Sequence, residues 1–153
     1  MENPSFCYDT RIGKIKISEN GNGKITFVGV SDGKCSNKSE TPAIQKTAAQ
    51  LNEYLNGSRK TFDVPIEPAG TEFQMRVWTE LNKVPYGSTV TYGELAAKIG
   101  KPKAARAVGM AMNRNPIMII QPCHRVIGSD GSLTGFAFGV DMKKDLLKLE
   151  GMK

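Results

Sequence analysis

Cys123 and His124 are the residues of this chain with the clearest capacity for covalent chemistry. His124 is the sole histidine, and Cys123 stands between it and Pro122. Around them, from Glu94 to Asp130, lie the basic residues Lys98, Lys101, Lys103, Arg106, Arg114 and Arg125, with no acidic side chain between. Positive charge lowers a thiol pKa and an adjacent imidazole can take the proton, which is what a nucleophilic thiolate needs. The same dipeptide also fits a core cysteine beside a structural histidine. In an extended chain neighbouring side chains face opposite ways, so His124 is expected to reach Cys123 through a water or a turn. A third group must orient the imidazole. Glu150, at the end of the last helix, is the candidate, and a solvated helix-end charge is its plain alternative.

Metal chemistry is not expected. Cys7, Cys35 and Cys123 form an odd set with no close pair, and a single histidine leaves little for a zinc site. The same spacing argues against a disulfide framework and leaves at least one thiol free.

Two kinds of element have to hold these residues. Residues 1–70 read as an α/β domain of strands with one helix. Lys14–Ser18 alternates, Ile25–Val30 follows a glycine-asparagine turn, and Thr41-Pro42 opens a helix whose Ile44, Ala48, Leu51 and Leu55 share a face. Phe62, Val64 and Ile66 alternate as a further strand, and Pro65, Pro68 and Gly70 make a linker. Residues 71–153 read as mainly helical. Thr71-x-x-Gln74 and Thr91-x-x-Glu94 are capping boxes, and the first opens a helix with Phe73, Val77 and Leu81 on one face. The second opens a short helix that Gly100 closes, and a further helix runs from Lys103 to about Asn113. Its Ala105, Val108 and Met112 face the core, opposite Arg106, Gly109, Met110 and Asn113. Two short helices joined by a Gly-Lys-Pro turn outline a helix-turn-helix. Ile117–Ile120 reads as a buried extended segment delivering Cys123, and the last helix, from about Asp141, turns Met142, Leu146 and Leu149 inward.

The 153 residues carry a net charge of +6, of which residues 1–70 contribute +1 and residues 71–153 contribute +5. A polyanionic partner suits the second half, because each phosphate contact releases condensed counterions; a solvated basic face would carry the same charge. With 39% hydrophobic and 24% charged residues, neither a disordered chain nor a fibrous repeat fits. The longest apolar run falls far short of the roughly 18 residues that span a bilayer, and residues 1–10 lack a signal pattern, so a cytoplasmic protein is expected.

Pro122-Cys123-His124-Arg125-Val126, preceded by Arg106-Ala107-Val108-Gly109 and Asn115-Pro116, and followed by Gly131, Thr134-Gly135 and Lys143 through Leu146-Leu147 to Glu150-Gly151, resembles the 6-O-alkylguanine-DNA alkyltransferase family. The likeness covers residues 71–151; residues 1–70 fit the family's ribonuclease-H-like first domain by length and strand-rich pattern. The resemblance implies DNA repair by direct damage reversal, an irreversible, single-turnover transfer of an alkyl group from the guanine 6-oxygen to Cys123. It makes His124 the base acting through water, Glu150 the carboxylate orienting it, and Asn115 the hinge between the helix-turn-helix and the active-site loop. Tyr92 becomes the residue that hydrogen-bonds the flipped guanine. Arg106 becomes the finger in the stack, with Ala107, Gly109 and Asn113 beside it on a helix in the minor groove. Thr134 and Phe138 would line the substrate pocket.

No metal and no cofactor is implied, and the partner is double-stranded DNA bound by a monomer. Physics accords with this reading: a 6-O-alkyl group lies inside the duplex, so the nucleotide must be flipped out before a thiolate can reach it. Phe138 stands where the family commonly has glycine, and Gln121 where an aliphatic residue usually precedes the proline. A phenyl ring there would restrict bulky alkyl groups. Two rivals are a lesion-binding module without catalysis, against which Cys123 argues, and a cysteine hydrolase, which needs an oxyanion hole the sequence does not reveal.

Overall fold

The computed structural model describes residues 3–31, 39–133 and 139–151. The chain forms two compact units, Met1–Ala69 with Pro116–Met118, and Gly70–Asn115 with Ile119–Lys153.

In the first unit, strands β1 (Ser5–Thr10), β2 (Gly13–Glu19) and β3 (Ile25–Val30) form an antiparallel meander. Alternation decides which face is covered: Ile15 and Ile17 of β2 are buried, and Lys14 and Lys16, which alternate with them, are not. Helix α1 (Pro42–Leu55) begins where Thr41 Oγ1 accepts from the Ile44 amide at 3.3 Å, and it packs on β1 and β2 through Ile44, Ala48, Leu51, Tyr54 and Leu55. The strand expected at Phe62–Ile66 does not form. Only Ile66 bridges Ile25, with the Ile25 amide donating to the Pro65 carbonyl and the Glu67 amide to the Ile25 carbonyl. Pro65 has no amide hydrogen for a ladder, which ends the pairing there.

Cys7, on β1, is disulfide-bonded, contrary to the expectation from cysteine spacing; Cys35 lies outside the described residues. Loop-closure cost grows slowly with separation, so distance along the chain says little about pairing in a folded sheet.

The second unit holds helices α2 (Glu72–Leu81), α3 (Tyr92–Lys98), α4 (Ala105–Asn113) and α5 (Val140–Leu149). Both capping boxes are formed, Thr71 with Gln74 and Thr91 with Glu94. Trp78, fully buried, donates its indole N–H to the Ala111 carbonyl at 3.0 Å and ties α2 to α4. Two-residue strands β4 (Val90–Thr91) and β5 (Val126–Ile127) pair in parallel, which sets the start of α3 beside the turn that carries Cys123. They are too short to leave an alternation in the sequence.

Two expectations need correction here. Ile117–Ile120 is buried in its first three residues but is not one extended run. Ile117 bridges Val28 within the first unit, and the chain then turns at Ile119, whose φ of +70° is a left-handed conformation costly for a β-branched residue. On α5 the covered face is Lys143, Leu146 and Leu147, with Glu150 just beyond, while Met142 and Leu149 are only half-buried. Its register follows the two charged groups turned inward.

Candidate active site

Cys123 opens a single 3₁₀ turn, Cys123–Arg125, and is a free thiol with 4% of its surface exposed. The turn, rather than an extended chain, sets the relation of the three side chains. The Cys123 amide donates to the Gln121 carbonyl at 2.8 Å and the Arg125 amide to the Pro122 carbonyl at 2.9 Å.

His124 is fully buried, and its Nε2 lies 2.7 Å from Glu150 Oε2. The structure therefore brings together the two residues that sequence reasoning paired. Burial pushes the imidazole below its ordinary range, against the pull of the Glu150 carboxylate, so it rests neutral. With Nε2–H donating to the carboxylate, Nδ1 is the nitrogen able to accept a proton. Glu150 is itself gripped by Arg125, whose Nε donates to Oε1 at 2.8 Å and whose Nη2 donates to Oε2 at 2.9 Å. The Gly87 amide donates to Oε1 at 3.1 Å, and Arg125 Nη1 donates to the Val84 carbonyl at 2.8 Å. Arg125 is thus buried and spent on Glu150, so it drops out of the basic surface stretch; the other five basic residues of that stretch are exposed.

The thiol is not a resting thiolate. Burial pushes it up to about 11, although the Asn115 amide, the Lys143 charge and the backbone amides of Cys123 and His124 act in the opposite direction. The expectation that local basicity leaves Cys123 ionised is corrected: desolvation outweighs it. At pH 7 such a thiol is ionised in about one molecule in ten thousand, so a proton acceptor is required.

Tyr92 is the first residue of α3 and is half-buried; burial, then the nearness of Cys123, whose ionised form would repel a phenolate, raises its phenol pKa. Lys143 Nζ lies 3.5 Å from Tyr92 Oη and 5.7 Å from the centre of its ring. Lys143 is fully buried, and burial lowers its pKa to about 8. Asn115 is buried and hydrogen-bonds both the Cys123 thiol and Gln121. On α4, Arg106, Ala107 and Asn113 are exposed along with Met110, which at 63% is the most exposed large apolar side chain among the described residues. Gly109 faces Tyr92, and a Cβ there would meet the ring at 3.8 Å. Thr134 and Phe138 lie outside the described residues.

Sequence reasoning assigned no role to Lys143 or to the clamp made by Arg125. A lysine in register with Leu146 and Leu147 on an apolar helix face was the available signal for the first. For the second there was none, since Arg125 reads as one more surface charge.

Residues 72–152 match the model described as 6-O-methylguanine DNA methyltransferase, DNA binding domain, and residues 6–68 match that family's ribonuclease-like domain. The chain belongs to the 6-O-methylguanine DNA methyltransferase family. A Methanosarcina acetivorans methylated-DNA--protein-cysteine methyltransferase is 60% identical over 107 residues, covering 70% of this chain and 69% of that protein. The crystal structure of Mycobacterium tuberculosis O6-methylguanine methyltransferase superposes with a TM-score of 0.87 at 40% identity, covering 97% of this chain and 93% of the other. A crystal structure of the Mycobacterium tuberculosis protein with DNA gives 0.85 at 41% identity, over 95% and 91%. The ribonuclease-like first domain and the helical DNA-binding second domain are therefore those of the family. No helix among the described residues is long and apolar enough to cross a membrane.

Proposed function

We propose that this protein repairs DNA by direct reversal, moving an alkyl group from the 6-oxygen of guanine in duplex DNA to Cys123, once per molecule. The observation that carries the reading is the buried thiol beside a neutral, carboxylate-anchored imidazole, next to a helix with an exposed basic and small-residue face.

The Cys123 proton passes through a water to His124 Nδ1, and the Glu150 carboxylate stabilises the imidazolium. The thiolate attacks the alkyl carbon, the carbon–oxygen bond breaks, and its electron pair leaves with guanine. Tyr92 supplies a proton to the departing base, and the Lys143 ammonium at 3.5 Å offsets the charge left on its oxygen. The product is a thioether, whose carbon–sulfur bond is stable to ordinary side-chain acids, bases and nucleophiles, so turnover ends there.

Exposed Arg106 fills the stack in the minor groove after the nucleotide turns out, the small exposed Ala107 beside it lets the backbone of α4 approach closely, exposed Asn113 lies on the same helix, and Gly109 faces Tyr92. Asn115 links α4 to the active-site turn. The protein acts as a cytoplasmic monomer. Stoichiometry tests the reading: with radiolabelled methylguanine duplex in excess, one methyl per chain is expected, and continued turnover contradicts it.

A further inference from the structure

Gln121 is fully buried two residues before Cys123, and its side chain joins two other amides in series. Asn82 Nδ2 donates to Gln121 Oε1 at 3.2 Å, and Gln121 Nε2 donates to Asn115 Oδ1 at 2.8 Å. Asn115 Nδ2 in turn donates to the Gln121 backbone carbonyl at 2.9 Å, the same carbonyl that accepts the Cys123 amide. A carbonyl can only accept, so Nδ2 must face it, and Oδ1 must then receive the Gln121 amide. Nδ2 carries two hydrogens, and the second is the one available to the sulfur that Asn115 hydrogen-bonds.

We propose that Gln121 is a positioning residue for Cys123: its side chain, holding Asn115 Oδ1, acts with its own backbone carbonyl, holding Nδ2, to keep an N–H of the amide, and not a carbonyl oxygen, on the sulfur. An N–H favours the thiolate; a flipped amide would oppose it. An aliphatic residue at 121 leaves the backbone carbonyl alone to hold the amide and takes the donor away from the buried Oδ1, so the N–H is held less firmly toward the sulfur. The proposal rests on Cys123 being the alkyl acceptor, but the orientation it assigns to Asn115 can be read without any alkyl transfer.

The test is the rate of Cys123 carbamidomethylation by iodoacetamide against pH, followed by peptide mass spectrometry in the full-length protein. Gln121→Leu and the closer-shaped Gln121→Met are each expected to move the midpoint up by about one pH unit, about tenfold slower at a given pH below it. Gln121→Glu, which only accepts when ionised, draws Asn115 Nδ2 toward itself and shifts the midpoint further. In an Asn115→Ala background, Gln121→Leu should change the rate by less than about twofold, since the effect passes through Asn115. An unshifted midpoint in either folded aliphatic variant overturns the proposal, and so does a full effect that survives Asn115→Ala. Methyl transfer from a methylguanine duplex, measured in parallel, should fall in step with the thiol; its absence in the wild type would overturn the functional reading alone.

Discussion

Glu150→Gln changes one atom's chemistry at the centre of the buried cluster. Glu150 accepts from His124 Nε2, from Arg125 Nε and Nη2, and from the Gly87 amide at 2.7, 2.8, 2.9 and 3.1 Å. A glutamine keeps one acceptor oxygen and offers an NH₂ group in place of the other. Arg125 stays charged with only 7% of its surface exposed, and it loses its counter-charge. Breaking a buried pair in this way costs about 3 to 5 kcal/mol. Set against an ordinary stability of about 5 to 15 kcal/mol, the variant should remain folded at 25 °C but unfold at clearly lower urea.

The catalytic effect is separate. An NH₂ group facing His124 Nε2 favours the tautomer with hydrogen on Nδ1, which removes the base lone pair. Loss of a general base lowers rates by about 10² to 10⁴. Single-turnover methyl transfer, normalised to the folded fraction seen by circular dichroism, should therefore fall at least about 100-fold. A destabilised variant with a wild-type rate per folded molecule would refute the base assignment, and an unchanged urea midpoint would refute the buried clamp.

Lys143→Met tests the buried lysine through pH. With a folded pKa of about 8 against 10.5 unfolded, the native state binds fewer protons between these values, so the wild type gains stability as pH rises from 8 to 10.5 and loses it on the way down. Relative to wild type, the variant should be steadier by up to about 3 kcal/mol at pH 7, with the difference shrinking toward pH 10.5 in urea titrations while methyl transfer is impaired; a pH-independent difference contradicts this. Gly70→Ala places a Cβ 2.6 Å from the Trp78 ring and 2.6 Å from Gln74 Oε1, so it should lower stability by about 1 to 3 kcal/mol in thermal unfolding. Arg106→Ala should slow methyl transfer from duplex DNA far more than from the free alkylated base, because its work is to hold the extruded state. Equal losses on both substrates contradict that role.

Much of this architecture is written locally. Thr41, Thr71 and Thr91 mark their helix starts because capping is a contact within one turn, and the apolar periodicity of α1 needs nothing beyond the helix itself. A lone histidine after a cysteine called for an orienting group, but it was the likeness to the family that singled out Glu150, since a glutamate at a helix end reads equally as a solvated charge. What escaped depends on distant partners. β4 and β5 are too short to pattern, Pro65 ended a strand that alternation alone favoured, and Arg125 could not be told from a surface charge until Glu150 was folded against it. The resting state of Cys123 escaped for the same reason: charge is visible along a sequence, whereas burial, which here prevails, is not.

The central claim is that Cys123 receives the alkyl group. Incubating the full-length protein with a duplex carrying one methylguanine, then digesting it and sequencing peptides by mass spectrometry, tests this most directly. A single methyl on the peptide containing Cys123, matched by restored guanine in the DNA and abolished in Cys123→Ser, is the expected result. A methyl on Cys7 or Cys35, or restored guanine with no methyl on the protein, would contradict the account.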